Sequence, residues 1–160
     1  MKRCNLVLLF ASALLFTSIS ACSHYEALQK DPKESSKGDD ESHNEGQNCG
    51  SCHNINGHEA VREAGWWTVS GTVFKEGDDK GDDNAIVELW EKPGRAGKLI
   101  KKLETDKEGN FYTNQILNFM GGCYPVIYTP GGQVKVMPIP YTGGSCNSCH
   151  GVSTSKLELK

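Results

Sequence analysis

Five residues occur twice in this chain, as Cys49-Gly50-Ser51-Cys52-His53 and as Cys146-Asn147-Ser148-Cys149-His150. Two thiols separated by two residues, with a histidine directly after the second, are suited to one chemistry in particular. The thiols can add to the two vinyl groups along one edge of a porphyrin. The adjacent imidazole is then carried beneath the ring, where its nitrogen can bind iron. Cys-x-x-Cys alone also serves in disulfide redox sites and as half of a zinc site. Two local disulfides, or one four-thiolate zinc centre, are therefore the competing uses. Zinc gives no reason for a histidine in the fifth position of both copies, and paired thiols in zinc ribbons usually lie much closer in sequence than these. The expectation is two covalent haem c groups. Cys49, Cys52, Cys146 and Cys149 would be the attachment points, and His53 and His150 the proximal iron ligands.

The run Cys146 to Gly151 resembles the attachment sites of small multihaem c-type cytochromes. That resemblance implies electron transfer with other exported redox proteins, such as larger multihaem cytochromes, and no catalysis by the chain itself. Three residues could fill a second axial position. His58 follows an Asn-Gly turn signal. It is too close to His53 to reach around the same porphyrin and fits better as ligand to the other haem, with an exposed surface histidine as the alternative. His43, six residues before Cys49, is either a solvated linker histidine or a ligand. Met137 lies on the polar side of a strand beside Gln133 and Lys135, where a haem could cover it, or it is an ordinary edge methionine.

These elements need a compartment that permits haem attachment. Residues 1–21 read as a secretory leader: Lys2 and Arg3, then an apolar run from Leu6 to Phe16, too short and wrongly flanked for a membrane span. Its end, Ile19-Ser20-Ala21-Cys22, resembles the lipobox of bacterial lipoproteins. The resemblance implies cleavage before Cys22, acylation of that thiol and firm anchoring in a lipid membrane. Ser23 leans the assignment to the outer membrane of the cell envelope. Of the 17 Lys+Arg and 20 Asp+Glu in the whole chain, the leader removes two basic residues, leaving 15 against 20, a net of −5. Nucleic acid is thereby an unfavourable partner. Residues 22–48 are rich in Lys, Asp, Glu, Ser and Gly, and 30–48 hold no apolar side chain, so a disordered tether is expected. A first haem segment spans 49–65, with a short helix over 59–64 stopped by Gly65.

The middle, residues 66–142, is mainly β. Trp67, Val69, Gly71 and Val73 alternate with polar residues, and further short strands follow at close spacing, which suggests a sandwich of six or seven strands. Gly71-Thr72-Val73, Asn84 to Leu89, and Thr105-Asp106-x-x-Gly109-Asn110-Phe111-Tyr112 resemble the carboxypeptidase regulatory-like domain. The resemblance implies a transthyretin-like sandwich over roughly residues 68–138 and lends no catalytic residue. In the turn, Asp106 can accept from amides two residues on, and Gly109 suits a positive φ. Cys123 reads as a buried small hydrophobe. Residues 143–160 form a second haem segment whose final ten residues are too few to build a pocket.

Haem segments at both ends of the sandwich leave open whether the two groups lie together or a strand length apart, roughly 17–20 Å. They also leave open oligomerisation. Besides electron transfer, a structural or docking subunit acting through the sandwich is the alternative. A small haem enzyme would need an open iron position with acid–base groups beside it, and the sequence offers no such constellation.

Overall fold

A computed structural model describes residues 32–54, 56 and 65–160. The chain divides into Met1–Pro32 and Lys33–Lys160, and the second unit is treated by itself. The leader, Cys22, residues 23–31, His58 and the short helix expected over 59–64 lie outside the described residues.

The described residues are mainly strands in two sheets, with no α-helix among them. Strand β1 (Val69–Lys75) is central to the first sheet and buried at every position before its last. One edge of β1 pairs antiparallel with β4 (Asn110–Thr113). Its other edge pairs in parallel with β7 (Gly144–Ser145) and then β8 (Leu157–Leu159). The second sheet has the order β3-β2-β5-β6, all antiparallel: β2 is Ile86–Lys92, β3 Ala96–Glu104, β5 Tyr124–Tyr128 and β6 Val134–Val136. Alternation places one face of each sheet inward. Val69, Val73, Phe111 and Leu159 of the first sheet join Val87, Leu89, Leu103, Ile127 and the fully buried Cys123 in one core. Burial pushes the Cys123 thiol up to about 11, so it packs as a small hydrophobe.

The turn into β4 forms as its residues require. Asp106 Oδ1 accepts from the amides of Glu108 (3.0 Å) and Asn110 (2.9 Å), and Gly109 takes φ +74°. Three other segments depart from expectation. Residues 33–48 are not a free tether but a strap laid along the outer edge of β4. Glu34 bridges Thr113, Ser35 N–H donates to Tyr112 O (3.0 Å), and Ser35 Oγ donates to Glu104 O (2.7 Å). The strap lacks apolar side chains, but an edge strand offers unpaired N–H and C=O groups, and satisfying them orders a polar segment.

The C-terminal tail is structural. Leu159 is 1 % exposed in the core, a burial that contributes about 1.5–3 kcal/mol. On β6, Val134 and Val136 are the exposed face (48 % and 55 %), while Gln133, Lys135 and Met137 are half-covered, because β6 is an edge strand beyond the core.

Candidate functional site

Both five-residue motifs fold into the same turn. Cys49–Ser51 and Cys146–Ser148 are single 3-10 turns. In the first, the amides of Cys52 (3.2 Å) and His53 (2.8 Å) both donate to Cys49 O; in the second, those of Cys149 (3.1 Å) and His150 (2.9 Å) donate to Cys146 O. The serine before the second cysteine closes each turn, Ser51 Oγ onto Asn48 O (2.8 Å) and Ser148 Oγ onto Ser145 O (2.7 Å). One shape thus arises from one spacing. Among the described cysteines all thiols are free, with Cys52 and Cys149 exposed and Cys49 and Cys146 half-buried.

The histidines are prepared alike. His53 Nδ1 lies 3.1 Å from Gly65 O, and His150 Nδ1 2.9 Å from Ser155 O. A carbonyl can only accept, so Nδ1 carries a proton in both rings, and in the neutral form of each ring Nε2 is the nitrogen with the lone pair. This is the arrangement that fixes the tautomer of a metal-binding imidazole and raises its basicity. The residues therefore fit the covalent haem that their spacing implies. Among the described residues no three His, Cys, Asp or Glu side chains are gathered as a metal ion would need.

Both motifs sit on β1. Strand β7 runs straight into the second turn, which interrupts the edge between β7 and β8. At that interruption Thr72 N–H has no strand to pair with, and the Asn147 side chain accepts from it instead (2.9 Å). Asn147 is 2 % exposed. Thr72 Oγ1 donates to Asn110 Oδ1 (2.6 Å) and accepts from Gly46 N (2.9 Å) and Asn147 Nδ2 (3.3 Å). The first motif rests against β7: a Cβ on Gly50 would lie 3.2 Å from Ser145 Cβ. The two Cys-x-x-Cys-His turns are therefore neighbours, which sequence spacing left open.

Their shared neighbourhood is visible in the thiols. Burial raises the Cys49 thiol above its ordinary value, while the adjacent Ser70 and Ser145 hydroxyls pull the other way without reaching hydrogen-bonding geometry. Burial pushes Cys146 up to about 12, opposed by the Tyr141 hydroxyl and reinforced by the nearby Cys49 and Cys123 thiols.

The His53 ring is 7 % exposed, stacked on Trp67 (centroids 5.0 Å, 29°), which in turn meets Tyr112 (4.6 Å). Sequence reasoning placed Trp67 on a strand and missed this role; an indole two residues after Gly65 was the available signal. Nothing in the sequence marked Asn147 or Thr72. Of the residues considered for a second axial position, His43 lies on the strap with its ring centroid 6.1 Å from that of His53. Met137 lies just beyond β6 at the edge of the other sheet, its amide donating to Pro125 O (2.9 Å). His58, like Cys22, is outside the described residues. No family model, no curated protein and no solved structure matches the chain.

Proposed function

We propose that this chain is a lipid-anchored dihaem c-type cytochrome that exchanges electrons with other exported redox proteins. The observation that carries the reading is the paired turn. Two Cys-x-x-Cys-His motifs share one backbone geometry on one strand, each with its histidine Nδ1–H given to a carbonyl and Nε2 left free. Bound haem would supply one-electron iron chemistry. The chain's own residues do the rest. Cys49 with Cys52, and Cys146 with Cys149, fix two porphyrin edges to adjacent turns. Gly65 O and Ser155 O orient the imidazoles, and the rigid two-sheet body holds both turns in place.

The same reading takes the sheets as a carboxypeptidase regulatory-like sandwich with a transthyretin-like arrangement. It is supported by the Asp106–Gly109 turn and by opposed four-stranded sheets. It takes Cys22 as the acylated anchor in the cell envelope. Among the described residues no helix is long and apolar enough to cross a membrane.

The test is haem stoichiometry of the exported chain by alkaline pyridine absorbance. Two haems per chain are expected, falling to one when either cysteine pair is changed to serine. A wild-type chain carrying no covalent haem overturns the reading.

A further inference from the structure

The strap was expected to be disordered, with its histidine either solvated or an iron ligand. Instead the backbone around His43 is fixed on both sides. Asn110 Nδ2 donates to Ser42 Oγ (2.9 Å) and to His43 O (3.4 Å). Three residues later Gly46 N–H donates to Thr72 Oγ1 (2.9 Å), and between them Asn44 takes φ +57° to turn the chain, with Gln47 N–H closing onto Asn44 O (3.1 Å). A Cβ on Gly46 would lie 2.9 Å from the Phe74 ring, so the strap is pressed against β1 here. His43 is exposed, and its imidazole makes no hydrogen bond to the protein among the described residues. Its ring faces that of His53, at 6.1 Å between centroids and 40° between planes.

That separation has a chemical meaning. With metal–nitrogen bonds of about 2.0–2.1 Å and each nitrogen about 1.1 Å from its ring centre, two imidazoles ligating one metal from opposite sides have centroids roughly 6 Å apart. Rings in plain contact span the same range, as Phe119 and Tyr141 do at 6.0 Å, so the spacing admits ligation and the pinned backbone is what singles out His43. His53 already has one face on Trp67 and Nδ1 on Gly65 O. A pinned backbone that holds a free, exposed imidazole facing His53, at a spacing that admits a metal between the two rings, suits a second axial ligand.

We propose that His43 is the second axial ligand of the haem held by Cys49, Cys52 and His53, and that the Asn110–Thr72–Asn147 network is what positions it. The inference rests on the haem reading above. Its further content is that Asn147, within the second attachment motif, helps hold a ligand of the first haem, because Thr72 Oγ1 bonds Gly46, Asn110 and Asn147 together. Asn110 and Thr72 are positioning residues.

The experiment compares the full-length exported chain with His43→Ala and His43→Met. Covalent haem is counted by pyridine absorbance, and spin state is read by electron paramagnetic resonance and optical spectra. The count separates the two ideas: a chain without haem defeats the parent reading whatever His43 does. With two haems per chain, His43→Ala is expected to convert about half of the haem from low to high spin, and added imidazole to restore it. His43→Met is expected to raise the potential of one haem alone, since Met/His ligation lies above His/His. Thr72→Val should reproduce part of the spin change at unchanged haem count. Two haems per chain with spectra and potentials indifferent to both His43 substitutions overturn the assignment.

Discussion

Asn147→Ala tests whether the second motif is pinned where the edge strand is interrupted. Asn147 is 2 % exposed, and its Oδ1 is the acceptor for the Thr72 amide at 2.9 Å. Removing it leaves a buried N–H without a partner, which costs about 1–3 kcal/mol. The second bond, Asn147 Nδ2 to Thr72 Oγ1 at 3.3 Å, adds little, because that hydroxyl keeps Asn110 and Gly46. For a domain of this size a loss of about 2 kcal/mol lowers Tm by roughly 5–10 °C. Urea unfolding followed by far-ultraviolet circular dichroism should show a lower midpoint at an unchanged slope. Asn48→Ala is the matched control. Asn48 caps the first turn, accepting from Gly50 N at 3.1 Å, but it is exposed and water can replace it. Its loss should stay within about 1 kcal/mol, at the low end for a cap. An Asn147→Ala chain within about 0.5 kcal/mol of wild type, or one no weaker than Asn48→Ala, refutes the argument that a side chain stands in for the missing strand.

Two further perturbations probe the body that carries the turns. Glu88 is buried, which raises its carboxyl, but hydrogen bonds from Trp90 Nε1 (2.9 Å) and Tyr128 OH (2.8 Å) and the Arg95 guanidinium (2.9 Å) outweigh this and hold it below its ordinary 4.5. A depressed carboxyl contributes stability above its unfolded pKa and loses it as pH falls through the folded value. Glu88→Gln should therefore cost about 1–2 kcal/mol at pH 7. It should also flatten the loss of stability that wild type shows below pH 4.5, and an unchanged acid limb in pH-dependent denaturation would contradict this. Gly109→Ala should destabilise by at least about 2 kcal/mol. Its φ is +74° and a Cβ would fall 2.5 Å from Val73 O and 2.6 Å from Asp82 N, so a thermal melt within 2 °C of wild type would show that the turn relaxes freely.

What the sequence made legible was whatever is local. The Asp106–Gly109 turn, the inward placing of Val69 and Val73, the burial of Cys123 and the shared shape of the two Cys-x-x-Cys-His turns all follow from residues within a few positions of one another, whereas β1, expected to be half-buried, is covered on both faces by segments distant in sequence. The strap escaped because the criterion for disorder is apolar content, and this segment is held by backbone bonds to β4 rather than by burial. The tail escaped for another reason: Leu157-Glu158-Leu159 alternates as a strand does, but its partner is Val73 to Lys75, more than eighty residues earlier. Parallel pairing over that distance leaves no signature in either segment.

The non-local pairing is also what relates the two motifs. A chain that ended at Tyr141 would leave one edge of β1 open and remove the Ser145 contact of the first motif. Adding β7 and β8 closes that edge, and because the second motif lies between them, closing the edge necessarily sets it beside the first. Thr72, in the middle of β1, then faces a gap in the ladder on one side and the strap on the other. Its amide and hydroxyl join Asn147, Gly46 and Asn110 in one buried cluster. The same strand that makes the core therefore also holds both Cys-x-x-Cys-His turns and the strap that carries His43. A substitution at Thr72 should be read first in the relation between the two sites and only second in global stability.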